Sequence, residues 1–406
     1  MFFKSFQIIR RNKSLLLLWI TLTSTAPFIF YSWPGHPYKI LTFLCLLLMV
    51  VQIAMKSSRQ IFDFKLLSVI LLQITYYIFI SFYHFDFSNI NLCIQLISLF
   101  ILVTYINGFV GIDKFVKSYI SVIYYMGLGG TIIFFAHLFV GVPSLFEVQY
   151  SASGKSYFLW LTTSNLYLNE FDIRIVRYSG FFDEPGTFAL FSFFAIILNK
   201  IYFQQKKMEL RLIILTIFTL SIAFYISILV YFIFFYLTRS NLKSVLVILF
   251  LLGVSSYYII ENKDDGSVSK LYDFTFKRFE IDDSGLAENN RAPLIENDKK
   301  IFSEYPLLGS GTVKENISGA NLFSVLAQYG VFGALFYYAF LVYFMFQIIL
   351  LNNGKKFFYL KFLFLILLNF YTRPEMSSVF TLLTFICIIY YVRNESINYN
   401  FNYRLT

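Results

Sequence analysis

Long apolar runs recur from one end of this 406-residue chain to the other, and nothing else narrows its possible folds so far. A run of about 17 to 25 apolar residues is the length a helix needs to cross roughly 30 Å of hydrocarbon, and helix is required because lipid offers no partner for backbone amides. The segments between the runs do not suggest a soluble alternative. Of the whole chain 58% is hydrophobic and 14% charged, with 52 Phe and 31 Tyr, more apolar surface than one water-soluble core can bury. The expected fold is an all-α polytopic integral membrane protein, one domain over residues 1–406 with about twelve transmembrane helices and the lipid bilayer as its solvent.

Charge then assigns sides. The formal net charge of +10 does not form the single basic patch that nucleic acid would need; it sits in short clusters between apolar runs, such as Arg10, Arg11 and Lys13, or Lys200, Lys206, Lys207 and Arg211. That is how cytoplasmic loops are marked. From a basic start, the expected spans are Leu15–Trp33, a retained first helix, then Ile40–Met55, Leu66–Tyr83, Ile90–Val110 and Ser118–Val140. Lys56, Arg59 and Lys65 mark one inside loop and Lys114 with Lys117 the next, whereas residues 84–89 carry no Lys or Arg. Residues 141–186 are therefore expected outside, before the span Thr187–Phe203.

The run from Leu212 to Leu237 is ambiguous: as one helix it is about 39 Å long, and as two passes each is short. A reversal near Ser221 keeps the basic loop at Arg239–Lys243 inside, so charge favours two passes. After Ser244–Ile260 comes a second long loop, residues 261–319, with eight Lys or Arg against twelve Asp or Glu, which suits an outside location. Leu322–Leu350, Phe357–Tyr371 and Ser377–Val392 complete the expected spans, leaving both termini cytoplasmic. Cys45, Cys93 and Cys387 fall inside apolar runs, with no paired spacing and no nearby His, and read as packing residues. The sequence has no internal repeat, Walker-type loop, dinucleotide fingerprint or HExxH.

Polar groups outside the basic loops concentrate in the two long loops. In the first, Arg177, Asp183 and Glu184 stand close to a helix start, with Gly180, Pro185 and Gly186 to shape the turn and place Pro in the first helical turn. A capped helix with a local salt bridge and a charged surface site are both compatible with this pattern. In the second, Leu294, Ile295 and Ile301 suit a short amphipathic helix beginning at Arg291, and Pro306, Gly309 and Gly311 a tight turn. That turn reads either as a plain surface turn or as a set of amides for a phosphate. Two arginines in two external loops, each beside a glycine turn, together suit a pyrophosphate, because guanidinium binds phosphate oxygens bidentately and stays charged.

The order Arg177-x-x-Gly180-x-Phe182-x-Glu184-Pro185, then Arg291, then Pro306-Leu-Leu-Gly309-x-Gly311, then Gly330-x-x-Gly333, resembles the Wzy-type O-antigen and capsule polymerases and, more distantly, the O-antigen ligases. The resemblance implies a bacterial inner-membrane glycosyltransferase that works at the periplasmic face without metal, nucleotide sugar or other cofactor. It would extend a glycan carried on undecaprenyl pyrophosphate, with a co-polymerase that sets chain length as a candidate partner. By the same resemblance Arg177 and Arg291 would stabilise the departing pyrophosphate, Glu184 or Asp183 would take the acceptor hydroxyl's proton, and Gly180, Pro185, Pro306, Gly309, Gly311 and Asn321 would shape the substrate site. The ligases usually place a histidine after the glycine turn, where this chain has Gly319-Ala-Asn321-Leu. That departure favours polymerase over ligase. A flippase or exporter of lipid-linked sugar is the alternative from another class, and it would be expected to carry charge deep in several spans and repeated halves.

Overall fold

The computed structural model describes residues 37–56, 62–145, 147–150, 155–160, 163–168, 175–182, 184–237, 242–265, 268, 272, 281–282, 285–286, 292–311, 317, 321–351, 355–372, 376 and 378–402. The first expected span, Leu15–Trp33, lies outside them, as do Asp183 and Arg291. Each of the other expected spans falls on helix. α1 covers Pro37–Lys56, α2 Phe64–His84, α3 Ile90–Tyr105 with a π-helical turn Ile106–Val110, and α4 Ile112–Val140. After the first long loop come α5 (Pro185–Tyr202), α6 (Lys206–Ile217), α7 (Ile222–Phe235) and α8 (Leu242–Glu261). The second loop holds α9 (Ala292–Glu304), and α10 (Leu322–Tyr337), α11 (Ala339–Leu350), α12 (Lys355–Thr372) and α13 (Val379–Asn402) follow. Five helical segments among the described residues are long and apolar enough to cross a membrane: Phe64–His84, Phe87–Val110, Ile112–His137, Pro185–Tyr202 and Leu322–Leu350.

The all-helical expectation leaves out one feature. Residues 147–180 form a four-stranded antiparallel meander, β1 (Glu147–Tyr150), β2 (Lys155–Trp160), β3 (Thr163–Leu168) and β4 (Ile175–Gly180), with Leu166 opposite Arg177 and a register shift at Ser164/Asn165. The strands lie in the segment rich in β-branched and aromatic residues, which suit a pleated surface. A two-residue ladder, β5 (Ile281–Asp282) with β6 (Gly285–Leu286), lies in the second loop.

Helix α5 is the axis of the packing. Phe188, Phe193, Phe194, Ala195, Ile196 and Ile197 have no accessible surface, so this helix is buried all round, as a helix must be when it is apolar on every face and enclosed by others. α13 lies beside it, with Phe191 and Phe380 ring centroids 4.5 Å apart and Tyr202 and Tyr391 4.7 Å apart. By contrast α1 and α2 expose Ile40, Phe43, Leu72, Phe79 and Phe82, the pattern of a face turned to lipid.

The 212–237 run is not one helix. α6 stops at Ile217, the chain reverses through Phe218–Ser221 with Leu220 at φ 57°, and α7 begins at Ile222. The far ends of the pair meet again: Glu209 near the start of α6 is buried, accepts hydrogen bonds from Tyr231 and Tyr236 at the end of α7, and lies 3.8 Å from Lys200 at the end of α5. The reversal near Ser221 that charge favoured is the one observed.

Candidate functional site

β4 of the first long loop and the glycine turn of the second stand at one end of the bundle, and a short chain of contacts establishes it. α4 and α5 are antiparallel, since Asp113 and Tyr202 line one cavity at one end and Gly127 meets Phe188 towards the other. α13 runs parallel to α5, with Phe380 beside Phe191 and Tyr391 beside Tyr202. Arg393 near the end of α13 pairs with Asp63 at the N-cap of α2, so α2 starts at the Tyr202 end and finishes, at His84, at the opposite end. β4 leads directly into α5 at that opposite end, and His84 Nε2 lies 3.2 Å from the carbonyl of Leu308 in the glycine turn of the second loop. An aromatic path links the two loops: Phe182 lies 6.1 Å from Phe380, the Met376 amide donates to the Tyr337 hydroxyl, and Tyr337 stacks on Tyr329.

Arg177 is half-buried in β4. Its Nε donates to the Thr219 carbonyl at 2.9 Å and its Nη2 to the Leu220 carbonyl at 3.0 Å. These carbonyls belong to the turn that follows the C-terminus of α6, and a cation is favoured there by the helix dipole. Tyr178, next in the strand, is fully buried and donates to the Leu215 carbonyl, the same helix end. Burial pushes its phenol pKa up, so it acts as a neutral donor. Close packing demands small partners here: a Cβ on Gly130 would fall on the Tyr178 ring, and one on Gly180, at φ 60°, would meet Met126 and Phe188 at 3.0 Å.

Glu184 follows as the N-cap of α5, extended at φ −135° and ψ 148°, its carbonyl accepting from the Thr187 and Phe188 amides; Pro185 takes the first helical position. Arg177 and Glu184 both precede the start of α5 at Pro185, with Gly180 between them at the end of β4.

The second glycine turn is stitched into a broken helix. Gly330, at φ 67° and ψ −174°, interrupts α10, and residues 306–311 satisfy the backbone groups this frees. Ser310 and Gly311 donate to the carbonyls of Ala327 and Gln328, and Val331 and Phe332 donate to the carbonyls of Pro306 and Leu307, all at 2.9–3.2 Å. Gly309 donates to Tyr305. The amides of Gly309, Ser310 and Gly311 are thus used within the protein, in the manner that irregular backbone at membrane depth requires. A Cβ on Gly309 would fall on the Gln328 carbonyl and one on Gly330 on the Leu307 carbonyl, and Gly333 leaves room for the Tyr76 hydroxyl.

Asn321 caps α10: its side chain accepts from the amides of Phe323 and Ser324, and Ser324 closes the capping box. Its Nδ2 donates at 2.7 Å to Asp298, a carboxylate of α9 with no accessible surface that also accepts from the Ser324 hydroxyl at 2.7 Å. The amphipathic helix expected from Leu294, Ile295 and Ile301 is present, with Ile301 buried. Asp298 was missed because a carboxylate on an apolar face carries no sequence signal of its own; its spacing from Ile301 and Ile295, three residues each way, places it on that face. The Thr219 and Leu220 carbonyls that hold Arg177 were missed for want of any backbone signal in sequence, and His84 because it lies far away in the chain, in a loop notable only for lacking Lys and Arg.

Among the described residues no group of three or more His, Cys, Asp or Glu converges as a metal site. Comparison of the chain with protein-family models and with curated proteins gives no match. The fold and composition together define the class alone: a predominantly helical protein of membrane type.

Proposed function

We propose that the chain is a membrane glycosyltransferase of the polysaccharide-polymerase kind, joining oligosaccharide repeat units carried on undecaprenyl pyrophosphate at the outer face of the cytoplasmic membrane. The observation that carries this reading is the placement of Arg177 and the glycine turn of the second loop at the same end of the bundle, away from the Lys200–Glu209 end. Two loops separated by the 74 residues from 187 to 260 then border one region at a membrane surface.

The chemistry asked of that region is modest. A glycosyl pyrophosphate is already activated, so the protein must stabilise charge on the leaving pyrophosphate and accept a proton from the attacking sugar hydroxyl. Carbonyl acceptors orient the Arg177 guanidinium, in the strand that leads into the helix start at Pro185. Arg291, one residue before α9, supplies the second cation in this reading, and the α5 N-terminus adds its dipole. Glu184 and Asp183 are the carboxylate candidates for the proton. The spans expected on both sides of the 218–221 reversal put its basic ends inside and its tip, with Arg177, outside.

The test is glycan length on a gel from a deletion strain complemented with wild type, Arg177→Ala or Arg291→Ala, with membrane levels measured alongside. The expected outcome is long glycan with wild type and single repeats with either variant, at normal protein level for Arg291→Ala and after normalisation to the reduced membrane level for Arg177→Ala. Unaltered chain length on deletion sinks the function, and full-length ladders from both variants sink the pyrophosphate clamp.

A further inference from the structure

A proton acceptor for a sugar hydroxyl near neutral pH is best supplied by imidazole, and the chain has three histidines. His36 lies outside the described residues. His137, in the last turn of α4, has its Nδ1 2.9 Å from the carbonyl of Val142 just beyond its own helix. His84 alone of the described pair is set against the second loop.

Its placement is tightly built. α2 ends at His84 because Phe85 turns into the left-handed region at φ 53°, its amide and that of Asp86 returning to the carbonyls of Phe82 and Ser81. The ring then reaches the glycine turn. Nε2 lies 3.2 Å from the Leu308 carbonyl, which can only accept, so Nε2 carries a proton and, in the neutral ring, Nδ1 the lone pair. Nδ1 has no hydrogen-bond partner among the described residues, and the side chain is partly exposed. Gly311 lies under the ring: a Cβ there would stand 3.1 Å from Cγ, and the residue's φ of 78° would strain any other side chain. The opposite side of the turn is fixed by the backbone pairs to Ala327 and Gln328. An imidazole in a fixed tautomer, with its basic nitrogen unused, thus stands where the second loop leaves the glycine turn.

We propose that His84 is the group that takes the proton from the attacking sugar hydroxyl, an assignment that rests on the glycosyl-transfer function proposed above. In the step, the hydroxyl proton passes to Nδ1 as its oxygen bonds to the anomeric carbon of the donor sugar. The bond from that carbon to the pyrophosphate oxygen breaks, and the pyrophosphate leaves with the electron pair. The Leu308 carbonyl, accepting from Nε2, stabilises the imidazolium that forms. Glu184, on the first loop, is then a positioning group at the α5 start and not the base.

The experiment uses the purified full chain in detergent, with undecaprenyl-pyrophosphate-linked repeat units extracted from the deletion strain serving as donor and acceptor. His84→Gln keeps a side-chain N–H for Leu308 but has no basic nitrogen, so chain growth is expected to fall about 100-fold or more while thermal unfolding stays at the wild-type value. His84→Ala is expected to lose activity and to regain part of it with added imidazole, and His137→Gln to elongate as wild type does. Full-rate growth by His84→Gln overturns the assignment, because a hydrogen-bond donor alone is then enough. Should the Gln variant fail to fold, failure of imidazole to revive a folded His84→Ala overturns it equally. In both cases a wild-type ladder in the same assay leaves the polymerase function standing, whereas the absence of any ladder from wild type removes that function itself.

Discussion

The guanidinium of Arg177 holds the carbonyl of Leu220 at 3.0 Å across 43 residues of chain. Leu220 is in the left-handed region at φ 57°, a conformation that costs a leucine roughly 1–2 kcal/mol and persists only where the surroundings hold it. The arginine therefore does two things at once: it satisfies two carbonyls of the turn after α6 and it fixes the reversal that sends α7 back. Replacing it with Ala removes two charge-assisted hydrogen bonds, an expected loss of about 2–4 kcal/mol. Arg177→Lys keeps the charge but cannot serve two carbonyls in one plane. The expected result is that Lys recovers membrane protein level more fully than long-chain glycan, read from immunoblot and glycan gel on the same cells. Equal recovery of both by Lys would mean that charge alone is what the site uses.

The glycines of the second loop separate into those under compression and those in open space. Gly309→Ala and Gly330→Ala each place a methyl group on a backbone carbonyl at a positive φ, and each is expected to cost about 3 kcal/mol or more. Gly253→Ala, in the open on α8, is expected to be neutral or to stabilise by about 0.5–1 kcal/mol. Thermal unfolding in detergent ranks the three, and comparable melting of Gly253→Ala and Gly330→Ala would contradict the stitched helix break.

How much of this was legible in the sequence varied with the range of the interaction. The spans were legible because length and apolarity act locally, and so was the helix start at Pro185, whose ring fixes φ and lacks the amide that a first turn leaves unused. The reversal at 218–221 has no glycine or proline to announce it, and only the charge of distant loops pointed there. β2 and β3 were read as loop because their short strands, such as Lys155–Trp160, sit between long apolar runs that dominate any pattern. Within the candidate site, Arg177 could be named but not its acceptors, since a carbonyl belongs to every residue. Asn321 could be named as well, but its bond to the buried Asp298 joins elements that only folding brings together.

At the other end of the bundle, Asp63 offers a test of pH. Burial alone would raise its carboxyl pKa, but the Tyr390 hydroxyl, the Arg393 guanidinium and the Leu66 amide outweigh burial and hold it below the ordinary value of 3.8. A carboxyl depressed in the folded state adds stability that is fully present above its unfolded value and is lost as pH falls through the folded one. Asp63→Asn is therefore expected to destabilise at pH 7 by about 1–2 kcal/mol, a figure reduced for partial solvent contact. The gap from wild type should close as pH drops below about 4. A gap that stays constant from pH 7 down through pH 3, measured by thermal unfolding in detergent, would show that the charge on Asp63 contributes nothing.

The membrane arrangement makes the most exposed prediction, because the α6–α7 pair is short. At 1.5 Å per residue, 12 and 14 residues are about 18 and 21 Å long, less than the roughly 30 Å of hydrocarbon each would have to cross. Yet Glu209, Tyr231, Tyr236 and Lys200 hold both far ends together, and Arg177 holds the tip. If the pair does cross and return, Lys207 and Lys243 share the inside and Asp264, beyond α8, lies outside. Single cysteines at these three positions, in a chain whose buried Cys45, Cys93 and Cys387 are replaced by Ala, are expected to divide accordingly. A membrane-impermeant maleimide should label Asp264→Cys in intact spheroplasts and reach Lys207→Cys and Lys243→Cys only after permeabilisation. Labelling of Lys243→Cys from outside, with Lys207→Cys protected, would mean that the segment crosses once; the tip held by Arg177 would then lie within the bilayer, and the arginine could not face a pyrophosphate at the outer surface.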